Sequence, residues 1–365
     1  MRCLLLVFLL LNHLPLSSNS LKVLHLTFHR GCATEIEAVS KKLSLDLTTW
    51  YIPELPPYFF DELSQGNAYY NVGHDRAERV WNKHKQYFES FDVILTSDTA
   101  PLSRIFLQNQ WKKPLIIWVC NRFDYYDAAS LDCDFPDKEY YDLFSQAATQ
   151  KNVTIIAYTE IEHMYAKSQN AHLGNLTIPP SGAYISELTH SSIPQHILKK
   201  ETFFLPPYHN ETVFLNLFQH CTNLGIKSYC GRYNGFADLQ DFKGVIHIPY
   251  AWSNLAFFEN LHLGIPYFIP SKALMLSFIS RGAFFRDPQF TEKFLNASEW
   301  YSDKYSPFIV YFDSWKDLLV KLNTYDYHGN RQKILNLAKK HEEKVFSSWQ
   351  TVFDHLSDIE ENHEN

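Results

Sequence analysis

Short, near-continuously apolar runs alternate along this chain with longer stretches whose apolar residues recur every three or four positions. In the first half the apolar runs are LKVLHLTF (21–28), LDLTTWYI (45–52), FDVILTS (91–97), KPLIIWVC (113–120) and NVTIIAYT (152–159). Each has strand length and strand composition. Between them, ATEIEAVSKKL (33–43), HDRAERVWNKHKQYFESF (74–91) and EIEHMYAKSQ (160–169) carry the helical period. Strands that are apolar on both sides and separated by helices predict a parallel sheet covered on both faces.

The rhythm breaks at LTIPPSGAYISELTHSSIPQHILKK (176–200), which is rich in Pro, Ser and Thr and reads as a linker or surface excursion. It then restarts: TFFLPP, IKSYC, GVIHIP and PYFIP as strands, ETVFLNLFQHCTNL and SNLAFFENLHL as helices. In the tail, Ile334, Ala338, Val345, Trp349, Val352 and Leu356 keep the spacing of one long amphipathic helix. The pattern predicts an α/β protein of two Rossmann-like halves facing across a cleft: a first domain over 21–180, a linker over 181–200, a second domain over 201–329 and a helical tail over 330–365. Its 365 residues exceed what one core usually supports, which agrees with two domains.

Composition narrows the class of partner. With 45% hydrophobic and 20% charged residues the chain should fold throughout, and a net charge of −7 with scattered basic residues argues against nucleic acid. The 16% aromatic content fits a core filled by Phe and Tyr, though sugars also stack on such rings. The first twenty residues, MRCLLLVFLLLNHLPLSSNS, have the pattern of a signal peptide, with Arg2, the apolar run Leu4 to Leu11 and small residues at Ser18 and Ser20. Cleavage would leave a soluble protein in a secretory lumen or a periplasm; an uncleaved membrane anchor is the alternative. Removal would also leave five of the six cysteines, hence at least one free thiol, with Cys221 and Cys230 able to pair locally. Asn152, Asn175, Asn210 and Asn296 stand in N-x-S/T sites, which makes a glycoprotein an expectation in a eukaryotic lumen.

Ligands of doubly wound sheets bind beyond the carboxyl ends of the strands, which directs attention to HRG (29–31), SDTA (97–100), CGRYNG (230–235) and PYAWSN (249–254). The last opens a helix near Ser253 or Asn254, whose unpaired N–H groups and positive end would suit a diphosphate, with Ser253 as a good N-cap. Glu259 follows within that helix and could accept hydrogen bonds from ribose hydroxyls. Gly264 ends the helix, and Pro266 starts the next strand.

The pattern P-x3-S-x5-E-x4-G-x-P-x3-P, carried by Pro249, Ser253, Glu259, Gly264, Pro266 and Pro270, resembles the donor-binding segment of glycosyltransferases of the GT-B fold. The resemblance covers about twenty-five residues in motif and most of the chain in architecture. It implies a nucleotide-sugar donor held by the second domain, with Glu259 on the ribose and the loop, Ser253 and Asn254 on the diphosphate. It also implies Arg232 and Lys272 as cations near that diphosphate. On the acceptor side it implies His29 as a general base oriented by Asp98, with Arg30, Gly31, Asn121 and Arg122 along the acceptor pocket and Asp124 beside them. The acceptor itself would be a glycan, a lipid or a protein. Many members carry Glu or His eight positions before the ribose carboxylate; here that position is Ala251, so no branch of the superfamily is assigned.

Other chemistries lack their signatures. There is no phosphate loop G-x4-G-K-[ST], no G-x-G-x2-G after the first strand, no G-x-S-x-G and no H-E-x2-H. The D-x-D spelling at Asp132-Cys133-Asp134 lies in a polar stretch without a preceding buried strand, so no metal or other cofactor is expected. The reading is a metal-independent sugar transferase. A noncatalytic two-domain protein that binds a glycan or nucleotide, and a nucleotide-sugar epimerase of the same fold, are the alternatives.

Overall fold

The computed structural model describes residues 20–60, 72–124, 137–185, 201–207, 215–231, 239–281 and 292–361. The signal-peptide residues 1–19, the D-x-D spelling, Arg232, Asn210 and most of the predicted linker lie outside the described residues.

The first domain runs β1 (Lys22–Thr27), α1 (Arg30–Leu43), β2 (Asp46–Tyr51), α2 (Pro57–Phe60), α3 (His74–Phe88), β3 (Val93–Ser97), α4 (Arg104–Leu107), β4 (Leu115–Val119), α5 (Lys138–Ala147), β5 (Val153–Ala157), α6 (Glu160–Ser168) and β6 (Leu176–Thr177). Its strands pair in parallel in the order β2-β1-β3-β4-β5-β6. The second runs β7 (Phe203–Leu205), α7 (Leu217–Asn223), β8 (Ser228–Cys230), β9 (Gly244–Ile246), α8 (Leu255–Leu263), β10 (Tyr267–Pro270), α9 (Lys272–Ser280), α10 (Glu292–Ala297), β11 (Ile309–Phe312) and α11 (Trp315–Thr324). Its parallel order, β11-β10-β9-β7-β8, repeats the same winding. The last helix, α12 (Tyr327–Glu361), packs on α1 of the first domain and α8 of the second.

Unbroken apolar runs became central strands because both faces are covered: every residue of β3 and β4 is buried. Alternate side chains sort into two cores. Leu24, Leu26, Ile94 and Ile117 point to one built mainly by the first domain, to which α10 of the second adds Phe294. Val23, Leu95, Ile116 and Trp118 point to the other, which continues through α12 into the second domain. Trp118 marks the join, meeting Trp349 of α12 edge-on at 5.7 Å while its Nε1–H donates to Ile178 O. Such T-shaped pairs add about 1 kcal/mol beyond the area they bury.

The segment that composition marked as a surface excursion is partly built into the molecule. Leu176–Thr177 forms the sixth strand, and Ser181, Gly182, Tyr184 and Ile185 are buried as the chain crosses between domains. Buried backbone needs partners, and three helices supply them. Glu35 of α1 accepts the N–H of Ser181 at 2.5 Å and of Gly182 at 3.0 Å. His262 of α8 donates to Ser181 O at 2.8 Å, and His341 of α12 donates to Pro180 O at 2.7 Å. Gly182 takes φ +65°, and a Cβ there would lie 2.6 Å from Phe258 O.

One other expectation changes: Cys221 and Cys230 are separate thiols, not a disulfide. Asn152 Nδ2 donates to Trp111 O at 3.0 Å and Lys113 O at 3.1 Å.

Gly182→Ala combines left-handed strain with a backbone clash, whereas Gly174→Ala at φ +70° adds a methyl to open space. Urea unfolding is expected to show a loss of about 3 kcal/mol for Gly182→Ala and about 1 kcal/mol for Gly174→Ala. Equal losses would mean that the crossing segment does not depend on its close approach to α8.

Candidate functional site

In both sheets the strand order reverses direction once, between β1 and β3 in the first and between β7 and β9 in the second. At such a switch point neighbouring connections leave for opposite faces and open a crevice beyond the carboxyl ends. Both crevices open into one cleft of about 700 Å3. The first domain contributes His29, Arg30, Gly31 and Thr34, and the second contributes Phe204, Pro206 and Gly231 from the ends of β7 and β8. His247, Tyr250, Asn254 and Glu259 come from the stretch after β9.

The helix carrying Glu259 starts one residue later than Ser253 suggests. Asn254 is the N-cap: its Oδ1 accepts the Ala256 N–H at 3.0 Å, and its Nδ2 donates to Tyr250 Oη at 2.9 Å. The Asn254 N–H is itself held by Glu299 Oε1 at 3.1 Å. Part of the donor capacity predicted for this helix end is therefore spent on the cap, and Ser253 lines a neighbouring recess instead. Gly264 closes the helix in the left-handed conformation at φ 67°, and a Cβ there would come within 3.0 Å of Leu335 in α12.

Glu259 lines the cleft although its residue is only 6% exposed. Burial holds its carboxyl up at about 7; the hydrogen bond from Tyr184 opposes that rise, and the nearby Glu35 adds to it. Tyr184 Oη donates to Glu259 Oε1, and burial together with that carboxyl pushes the phenol well above its ordinary range. Tyr184 thus orients the carboxylate from the crossing segment.

Across the cleft, His29 occupies the N-cap position of α1, its N–H donating to Thr27 Oγ1 at 3.2 Å. Arg30 and Gly31 are the first residues of that helix, where the sequence read a loop. A Cβ on Gly31 would meet Leu255 Cδ2 at 2.0 Å, so the two helix starts approach closely. The His29 ring is exposed to the cleft by area, but it stands among acidic groups. Hydrogen bonding to Cys32 chiefly, then negative charge on Cys32, Asp98 and Glu259, raises it to about 9.

Behind His29 lies a recess of about 330 Å3 that also contains Asp98, Cys32, Cys120, Asn121 and Ala251. Ala251 leaves room there, and its carbonyl accepts from Trp300 Nε1 at 3.1 Å. His29 and Asp98 are brought together, yet not as a hydrogen-bonded pair. Asp98 Oδ1 accepts from Asn121 Nδ2 at 2.9 Å and Oδ2 from Thr99 Oγ1 at 3.3 Å, so its effect on His29 is through charge. Asp98 itself sits at φ 67°, a left-handed conformation that Asp tolerates better than most residues, and burial raises its carboxyl. Cys32 and Cys120 share this wall. The hydrogen bond with Cys120, then that with His29, draws the Cys32 thiol down, while burial drives Cys120 up.

Several predicted residues stand elsewhere. Lys272 is exposed at the start of α9 and is not among the residues lining either recess. Arg122 lies over the Tyr165 ring at 5.3 Å, with Asp124 at 3.9 Å; Asp124 takes hydrogen bonds from Tyr141 and Tyr165. Arg122, Asp124, Tyr141 and Tyr165 thus pack together within the first domain. Arg30 reaches the cleft but pairs with Glu54 at 2.8 Å, both exposed. Among the described residues no cluster of His, Cys, Asp and Glu is arranged to hold a metal ion. No helix among them is long and apolar enough to cross a membrane.

Sequence reasoning missed Tyr184, His247 and Glu299. His247, buried after β9 and ringed by Tyr250, Tyr267 and Trp300, lies within GVIHIP, where a histidine interrupting an apolar strand was the available signal. Tyr184 and Glu299 carried no such signal, because their partners are distant in sequence.

No family model and no curated protein matches the sequence. Among solved structures, UDP-GlcNAc 2-epimerase from Neisseria meningitidis bound to UDP-GlcNAc aligns over 92% of this chain and 100% of its own, with a TM-score of 0.52 and 10% identity. Arabidopsis thaliana UGT89C1 complexed with UDP-L-rhamnose covers 94% of this chain and 100% of its own at 9% identity and a TM-score of 0.47. UDP-N-acetylglucosamine 2-epimerase from Rickettsia bellii covers 93% and 98% at 13% identity and 0.48. With its two parallel sheets, their matching strand orders and the cleft between their carboxyl edges, the chain has the GT-B fold, as the sequence resemblance implied.

Proposed function

We propose that this protein is a glycosyltransferase that moves a sugar from a nucleotide-diphosphate sugar to a glycan, lipid or protein acceptor in the lumen of a secretory compartment or in a periplasm, without a metal. The observation that carries the reading is the position of Glu259: a buried carboxyl, oriented by Tyr184, on the helix that opens at the switch point of the second sheet and lines the cleft shared with the first. A carboxylate there accepts hydrogen bonds from ribose hydroxyls, and the start of α8 lies one turn away for the diphosphate. His29 from the first domain faces the same space. Once deprotonated it can take the acceptor hydroxyl proton as the sugar transfers, while the diphosphate leaves toward the second domain.

The reading also draws on the fold, since the aligned Neisseria epimerase is bound to UDP-GlcNAc. An epimerase would release free sugar and nucleotide without an acceptor, and a noncatalytic binding protein would leave the donor intact. Transfer is therefore recognised by donor consumption that depends on acceptor.

Screening residues 21–365 against nucleotide-diphosphate sugars should find one donor that raises Tm and is turned over. Glu259→Ala should abolish the shift and lower kcat/KM by at least about 100-fold. A donor bound and consumed equally by that variant would overturn the assignment of Glu259. Turnover is expected to persist in EDTA. Donor affinity should rise with pH through about 7, because loss of the Glu259 proton creates the stronger acceptor, and Glu259→Gln should flatten that dependence. The turnover rate should continue to rise toward pH 9, where His29 loses its proton, and His29→Ala should remove that limb with a loss of about 100-fold or more.

A further inference from the structure

The N-x-S/T asparagines differ sharply in their surroundings. An N-linked glycan replaces one of the two hydrogens on the side-chain nitrogen and adds a bulky polar group there. A folded protein therefore accommodates it only where the amide faces open space and gives no more than one hydrogen bond.

Asn152 meets neither condition. Both of its amide hydrogens are used, on Trp111 O and Lys113 O, and its own carbonyl accepts the Leu115 N–H at 2.8 Å where β4 begins. A sugar on that nitrogen would remove one of the two bonds and stand against the backbone that leads into β4. Asn296 is exposed at the end of α10, but the serine of its site is buried, with Ser298 Oγ donating to Trp252 O at 2.7 Å. Asn175 meets both conditions. It is exposed in the connection between α6 and β6, and its amide makes no hydrogen bond among the described residues. Gly174 beside it faces open space, since a Cβ there would find nothing within 4 Å.

Topology sets where such a glycan would stand. β6 runs parallel to β5, so Asn175, just before it, lies at the amino-terminal edge of the first sheet. The large cleft opens beyond the carboxyl ends, and Asn175 lines neither it nor the recess behind His29.

We propose that Asn175 carries an N-linked glycan, on the side of the first domain away from the cleft, and that Asn152 of the folded protein carries none. The step that attaches it takes an oligosaccharide from a lipid-linked diphosphate. The bond from Asn175 Nδ2 to the sugar C1 forms and the C1–O bond to the diphosphate breaks. The diphosphate leaves with the electron pair, and the amide gives up one proton to a base of the transferring enzyme. Attachment takes place on the emerging chain, and folding then separates the sites, because a chain modified at Asn152 cannot bond both Trp111 O and Lys113 O. The proposal rests on the eukaryotic-lumen part of the proposed function and not on its transfer chemistry.

Expression of the full chain in cultured animal cells, fractionation, and enzymatic glycan release in heavy-oxygen water followed by peptide mass spectrometry test this. In the soluble, folded luminal protein, Asn175 is expected to become heavy-labelled Asp in most molecules and Asn152 in none. Asn175→Gln should lower the mass by one glycan and still yield soluble protein. The proposal is overturned if the luminal protein has no glycan at Asn175, if the folded protein carries one at Asn152, or if Asn175→Gln leaves the mass of attached glycan unchanged. A chain found in the cytosol overturns it together with the compartment reading. Glycan at Asn175 on a protein that consumes no nucleotide sugar would support it and overturn the transferase reading alone.

Discussion

The carboxylate of Glu35 receiving the Ser181 and Gly182 N–H groups is the contact on which the two-domain arrangement rests. The chain crosses between domains through the interior rather than over the surface, so its polar backbone must be satisfied there or cost about 1–3 kcal/mol for each orphaned group. Glu35 supplies two acceptors from the first domain, while His262 and His341 supply donors from the second domain and the last helix. One short segment is thereby bonded to all three bodies. Gly182 makes this possible because no side chain fits between it and the Phe258 carbonyl.

The same segment continues into the site. Two residues after Gly182, Tyr184 donates to Glu259, so the backbone bonded by Glu35 also sets the orientation of the cleft carboxylate. The burial that makes this connection rigid raises the proton affinity of Glu259. Structure and chemistry are thus coupled through desolvation: a carboxyl in a solvated loop would titrate near its ordinary value and would lack a fixed direction. On the opposite wall the shift has the same sign but a different cause, hydrogen bonding and negative charge acting against burial. His29 collects the influence of Cys32, Asp98 and Glu259 and binds its proton more tightly than an ordinary imidazole.

Much of the architecture was legible in the sequence. Unbroken apolar runs became the buried parallel strands, and the interval from the β9 strand to Gly264 placed Glu259 on a helix beside the cleft. The helical period of the tail became α12. Other assignments depended on rotation about a helix axis or on the path of a loop, which spacing does not specify. Lys272 stands at the right end of a strand but outside the cleft, and Arg122 turns onto Tyr165. Ser253 and Asn254 are both good caps by chemistry, and the choice fell to Asn254 because Tyr250 and Glu299 hold it there.

By itself, then, the sequence determined the strands and helices, the two-domain α/β class and the glycine that ends the site helix, because these follow from local periodicity and backbone preference. Tertiary structure alone decided that Glu35 would bond residues 146 and 147 positions away, and that Tyr184 would reach Glu259 across 75. It likewise decided that His29 and Asp98 would share a recess without sharing a hydrogen bond. The physical reason is that each of these partners is chosen by how the domains dock, and docking buries polar groups whose compensation is written nowhere near them in the chain.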